Sequence, residues 1–261
     1  MRRPADPAAE VSVQLSGRIR SGEIFGIAQA ISLIENGWSS TETFLNCFGA
    51  ERLEVPVVGF TGPPGAGKST LISAYIRLLR ELGQRVAVVS VDPSSPASGG
   101  AILGDRLRMH EHHADPDVFI RSIAARGHLG GLCRNIRHIV RLLRAATWDS
   151  ILLETVGTGQ SEIEVSKVAD VAVVVNTPGF GDDIQALKAG VLEIADVLVV
   201  NKADLPGAAR ANRDLESMLQ LRPAGRGRVP LILTTATTGA GIAELHAAIV
   251  SQLSKRNAQQ R

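Results

Sequence analysis

Aromatic side chains are scarce in this 261-residue chain, where phenylalanine, tryptophan and tyrosine together make up 3%. A protein that grips single-stranded nucleic acid by stacking has few platforms here. No sign of charge dominates either, since the formal net charge is +2, so the composition makes no electrostatic case for a nucleic-acid partner. The two cysteines, Cys47 and Cys133, are too few for a disulfide framework or a multi-cysteine zinc site, and both read as small buried hydrophobes. Long apolar runs are also missing. VADVAVVVN and EIADVLVVN stop far short of the roughly 18 residues a membrane span needs, and charged residues bound them. The N-terminal MRRPADPAAE has no apolar stretch behind its arginines and does not read as a secretory signal. The expectation is a cytosolic globular protein with no membrane partner, its 44% hydrophobic content sufficient for a sizeable core.

What is present is a regular alternation. From Val55 onward, VPVVGF, RVAVVSVD, DVFIRSI, DSILLE, DVAVVVN, DVLVVN and VPLILTT are short runs rich in Val, Ile and Leu. Amphipathic segments of helical length separate most of them, which predicts an α/β fold with a mainly parallel sheet covered on both faces. Ligands of such sheets bind at the carboxyl ends of the strands. Residues 1–54 read as an N-terminal helical extension, and 55–261, which carry the strands and the glycine-rich turn GPPGAGKST, as a P-loop domain. Within the extension, SGEIFGIAQAISLIENG offers Ser21 as N-cap, Ile24, Ile27, Ala28, Ile31 and Ile34 as an apolar stripe, and Gly37 as the stop. The segment 92–113, DPSSPASGGAILGDRLRMHEHH, is long enough for a mobile loop.

The residues just after the strands carry the chemistry. Gly62 to Ser69 fit G-x-x-x-x-G-K-[ST] between a strand and a helix. In that pattern the backbone N–H groups of Gly62, Pro63, Pro64, Gly65, Ala66, Gly67, Lys68, Ser69 and Thr70, proline excepted, can curl around phosphate oxygens. Lys68 neutralises the β and γ oxygens, and Ser69 is positioned as a Mg²⁺ ligand. Asn201, Lys202 and Asp204 fit N-K-x-D at a later strand end. A carboxylate at Asp204 accepts from guanine N1–H and N2–H₂, whereas adenine offers neither donor there and leaves the acid unpaired. Thr235, Ala236 and Thr237 follow the last strand, where their backbone could cap the guanine O6. Asp92 and Glu154 end two further strands and supply the carboxylates that Mg²⁺ takes. Asp105, from the long loop, is a third candidate for the metal shell. Glu154 opens E-T-V-G, and the N–H of Gly157 could sense a γ-phosphate.

Two other clusters invite a bland and a sharp reading. Arg134, Arg137, Arg141 and Arg144 recur at helical spacing opposite Ile136, Ile139, Val140 and Leu143. The bland reading, a solvated helix face, is favoured over an acidic docking partner. His110, His112 and His113 suggest nickel or zinc, but no cysteine lies nearby and adjacent positions 112 and 113 point apart, so a polar loop end is favoured.

Taken together, GPPGAGKST, DPSSPASGGAILGDRLRM, ETVGTGQSE, TPGFGDDIQALKAGVLEIAD and NKADL resemble the MeaB-type GTPases, the methylmalonyl-CoA mutase-associated G proteins that include the ArgK-like proteins. The resemblance covers residues 21 to about 250. It implies a protein that binds GTP and GDP with Mg²⁺, hydrolyses GTP slowly alone and is activated by an adenosylcobalamin-dependent acyl-CoA mutase. It also implies a chaperone role, gating cofactor loading into the mutase and protecting it, with an adenosyltransferase as a further partner. By the same resemblance Asp92, Asp105 and Glu154 are metal-site residues. Residues 177–188 form a switch, with Asp182, Gln185 and Lys188 reaching the nucleotide or the partner. No glutamine directly follows Gly157, in keeping with slow intrinsic turnover. Family members continue past their last core helix with a helical arm that supports dimerisation. This chain ends at SQLSKRNAQQR, so the resemblance does not carry a homodimer over. The other readings are a metallocentre-maturation GTPase and a P-loop protein kinase of the ArgK type.

Overall fold

The computed structural model describes residues 7–49, 54–92, 109–124, 136–155, 167–179, 191–220 and 228–259. Seven strands form one parallel sheet: β1 (Val57–Thr61), β2 (Val86–Asp92), β3 (Val118–Ala124), β4 (Ser150–Glu154), β5 (Val171–Asn176), β6 (Val197–Val200) and β7 (Leu231–Leu233). Their spatial order is β3-β2-β4-β1-β5-β6-β7. All seven apolar runs of the sequence are strands. The reason is burial on both faces, which makes a central strand such as β5 apolar at every position up to its terminal Asn176. β1 lies in the middle, pairing with β4 on one side and β5 on the other. From β1 the chain runs out to β2 and β3 on one side, returns through β4 beside β1, and then crosses to β5, β6 and β7 on the other side. The crevice at the carboxyl end of β1 is therefore the topological switch point where such sheets bind ligands.

Helices cover both faces. On one side α4 (Lys68–Glu81) and α8 (Ile242–Gln259) pack Leu71, Ile72, Ile76 and Ile249 against Phe60, Val88, Leu152 and Val173. On the other, the N-terminal helices α1 (Pro7–Arg20), α2 (Ile24–Glu35) and α3 (Thr41–Asn46) share a core with α5 (Ile136–Ala145). There Ile27, Ile31, Phe44, Ile139 and Leu143 meet Val57, Val89, Ile151 and Leu153. A short helix α6 (Val191–Ile194) precedes β6, and α7 (Ala208–Gln220) lays Leu215 over Val174, Leu198 and Val200.

Four details differ from expectation. Ser21 does not cap α2: its hydroxyl donates to the Arg18 carbonyl at 2.9 Å, closing the end of α1, and Glu23 takes the N-cap position with no side-chain capping bond, its carboxylate accepting from Arg18 instead. Ile24 is exposed, because the buried stripe of α2 begins at Gly26 and Ile27. Cys47 is exposed rather than buried, since α3 turns its Phe44 and Leu45 inward instead. Arg144 leaves the arginine stripe. It lies among the buried residues of α5 and its Nη2 donates to Asp170 Oδ2 at 2.7 Å. Asp170 Oδ2 also accepts from the Val57 N–H at 2.9 Å, and Arg256 of α8 approaches Asp170 Oδ1 at 3.6 Å. One carboxylate thus ties the first residue of β1 to a helix on each face of the sheet.

Candidate functional site

The turn after β1 is shaped by what surrounds it. A Cβ on Gly62 would run into the carbonyl of Val175 in β5, and one on Gly67 would lie 2.6 Å from Asn201 Nδ2. Gly67 has φ +85 and is the N-cap of α4, so the chain enters the helix through a left-handed residue pressed against β6's end. Ala66 is fully buried, whereas Pro64 and Gly65 lie exposed at the mouth of the turn and Pro63 and Thr70 are half-buried. This leaves the first N–H groups of α4, which have no partner within the helix, facing the turn's interior.

Lys68 is buried to 7% exposure. Its ammonium donates to the carbonyls of Gly62 at 2.8 Å and Pro63 at 3.0 Å. A cation held across its own glycine-rich turn is a charge waiting inside an anion cradle. Ser69, the next residue, donates from Oγ to Glu154 Oε1 at 2.7 Å. Glu154 is 3% exposed at the end of β4, and Ser90 of β2 donates to its other oxygen at 3.3 Å. The donor set fits a hard divalent cation: a hydroxyl and a carboxylate oxygen converge beside the turn, and phosphate oxygens would complete the shell. Among the described residues there is no group of three His, Cys, Asp or Glu side chains that could hold a metal by itself.

The opposite wall comes from β6. Asn201, 1% exposed, donates from Nδ2 to the Ala66 carbonyl at 2.9 Å. Its Oδ1 accepts from Thr234 Oγ1 at 3.1 Å and from the Ala236 N–H at 3.2 Å. Lys202 adopts φ +57 and places its Nζ 2.8 Å from the Gly65 carbonyl. The strand end, the glycine-rich turn and the turn after β7 are therefore bonded into one unit. Asp204 and Thr237 are exposed beside it, and Thr235 pairs with Ala240 across the turn.

The remaining candidates divide. Asp92 is the last residue of β2, two past Ser90. Asp105, Gly157, Asp182, Gln185 and Lys188 lie outside the described residues, as do the Arg134 and Cys133 positions. His112 is buried, with Nε2 2.9 Å from Ser73 Oγ and 3.0 Å from the Ser73 carbonyl, whereas His113 is exposed. A shared metal at that cluster therefore gains no support from these two rings. Ser73 also donates to Glu111 at 2.5 Å, and this bond, followed by the Arg77 guanidinium, holds the Glu111 carboxyl below its ordinary range. Sequence reasoning missed Ser90, Thr234 and the Lys202 contact. Of these only Ser90 left a signal: it is the one hydroxyl inside the apolar run VAVVSV.

With this geometry in place, comparison with known proteins decides the family. The family model described as methylmalonyl-CoA mutase-associated GTPase MeaB matches residues 27–260. The chain belongs to the MeaB family of GTPases. A protein of Pyrococcus horikoshii that carries a GTPase name is 44% identical over 236 residues, which is 89% of this chain and 74% of that one. The mouse mitochondrial methylmalonic aciduria type A homolog is 41% identical over 193 residues, 72% of this chain and 46% of the mouse protein. Among solved structures, the LAO/AO transport system kinase superposes with a TM-score of 0.74 at 28% identity, covering 99% of this chain and 82% of its own. Membership makes this chain a P-loop GTPase. No helix among the described residues is long and apolar enough to cross a membrane.

Proposed function

We propose that this MeaB-family GTPase binds GTP and GDP with Mg²⁺ and serves as a chaperone of an adenosylcobalamin-dependent acyl-CoA mutase, methylmalonyl-CoA mutase or a close relative. In that role it gates cofactor loading and protects the mutase, in the cytoplasm, with an adenosyltransferase as a further partner. The observation that carries the reading at the nucleotide is Asn201, whose side chain bonds Ala66 and Ala236 at once and so sets the N-K-x-D turn against the P-loop. Asp204 then meets guanine N1–H and N2–H₂. The mutase half rests on the family's description and on likeness to the mouse methylmalonic aciduria protein.

In this reading Lys68 exchanges the Gly62 and Pro63 carbonyls for β- and γ-phosphate oxygens, and the backbone of residues 62–70 cradles the rest. Ser69, Glu154 and Asp92, joined by Asp105, hold Mg²⁺, which supplies charge neutralisation to the transferring phosphoryl group. Gly157 reads the γ-phosphate, Asp182, Gln185 and Lys188 pass the state to the mutase, and Thr235, Ala236 and Thr237 border the base. Turnover is slow alone and rises on the mutase.

Calorimetry tests the nucleotide: GTP and GDP should bind far more tightly than ATP, and equal affinities would overturn the assignment. Adding purified methylmalonyl-CoA mutase with adenosylcobalamin should raise GTP turnover. A second reading draws on the solved relative named as a transport system kinase. Under it, labelled γ-phosphate would appear on an added protein, whereas the chaperone reading expects inorganic phosphate alone.

A further inference from the structure

Ser90 has no place in the P-loop, base-recognition or metal-ligand sets, yet it breaks an otherwise apolar strand at its most buried stretch. The six residues of β2 before Asp92 read VAVVSV, and Ser90 is 1% exposed. A hydroxyl buried there is disfavoured unless it is bonded. The Ser90 hydroxyl donates to Glu154 Oε2 at 3.3 Å, and the two residues are in direct register across the β2–β4 pair. The other oxygen of the same carboxylate is held by Ser69 at 2.7 Å. Glu154 is therefore gripped at both oxygens from two elements, the P-loop helix and the neighbouring strand. On the far side of Ser90, in register on β3, the hydroxyl of Ser122 is buried without a partner.

We infer that Ser90 is a positioning residue for Glu154, fixing the plane of its carboxylate for the divalent cation that accompanies the nucleotide. The inference rests on the cation-site reading above. A carboxylate bonded only at Oε1 can rotate about its terminal torsion, which is broad and shallow. Bonded at both oxygens, it cannot turn without breaking one contact. Groups that orient a metal-site ligand in this way change metal affinity by about 10- to 100-fold when removed.

The test uses the full chain loaded with GDP. Mg²⁺ is titrated by calorimetry, and nucleotide affinity is measured separately in excess EDTA. Ser90→Ala should weaken Mg²⁺ about tenfold and leave EDTA-state GDP affinity and apo thermal stability near those of the parent. Ser90→Thr, which keeps the hydroxyl on a β-branched residue suited to a strand, should restore most of the loss. A merely structural role would shift apo stability and spare the metal. If Ser90→Ala binds Mg²⁺ as the parent does while Glu154→Gln loses it, the positioning role is overturned and the cation site stands. If Glu154→Gln also binds normally, the cation-site reading falls, and the inference with it.

Discussion

Asn201 Nδ2 donates to the Ala66 carbonyl at 2.9 Å, fastening the end of β6 to the P-loop through one buried side chain. The same amide passes within 2.6 Å of where a Cβ on Gly67 would sit. Closeness of that kind leaves the loop no spare volume.

Gly67→Ala should therefore damage the site twice over. The new methyl collides with Asn201, and a φ of +85 costs a non-glycine residue about 1–2 kcal/mol. Expected outcomes are loss of measurable GDP binding and a modestly lowered melting temperature, read by calorimetry and thermal unfolding. Normal GDP affinity in the alanine variant would contradict the close packing of loop and strand.

Asp204 is exposed at the turn after β6, so its replacement should alter selectivity and spare the fold. In the proposed base pocket, Asp204→Asn keeps an acceptor for N1–H but replaces the acceptor for the guanine N2–H₂ with a donor. GTP affinity should fall on the order of 10² or more, while xanthosine nucleotides, which lack the exocyclic amine and offer a carbonyl, should gain. Competition binding with both nucleotides decides it, and an unchanged preference would remove Asp204 from the base pocket.

How far these sites could be foreseen follows from what each residue does locally. The strands were legible because a parallel sheet buried on both faces needs apolar, β-branched residues at every position, and runs such as VAVVV in β5 have no competing helical period. Lys68, Ser69 and the N-K-x-D residues were legible because their spacing is itself the geometry of the loop. Arg144 was not, because periodicity places it on the polar side of α5 and only the position of Asp170, on a distant turn, draws it inward. Cys47 and Ser21 erred for a similar reason: neighbours chosen by packing decided which face of α3 turned inward and where α1 ended. Thr234 meets Asn201 across 33 positions, a distance over which no local pattern can report.

Asp170 offers a stability test away from the nucleotide. Its Oδ2 accepts from both Arg144 and the Val57 N–H, and the Arg144 side chain is 9% exposed. Removing the acid leaves a buried guanidinium without its carboxylate, though its Nε keeps the Val55 carbonyl at 3.2 Å, and takes the acceptor from a strand-end N–H, a situation that costs about 3 kcal/mol. Asp170→Ala should lower the urea midpoint by that equivalent. Adding Arg144→Leu to it should recover part of the loss, because the uncompensated charge is gone. A double variant less stable than the single one would mean that Arg144 contributes chiefly through packing.

His246 of α8 sits 3.0 Å from the Tyr75 hydroxyl of the P-loop helix. Burial raises the tyrosine's pKa, keeping its phenol protonated, and lowers that of His246 from its ordinary 6.5. A histidine depressed in the folded state binds a proton more readily once unfolded, so its contribution to stability is complete above pH 6.5 and declines as pH falls toward the folded value. Acidification from pH 7.5 to 5.5 should therefore weaken the contact between α4 and α8. His246→Gln, neutral throughout, should lose less stability over that interval than the parent. Melting temperatures of the two proteins across the range test it. Parallel profiles would show that the ring accepts its proton without cost and that the Tyr75 contact does not depend on its neutral form.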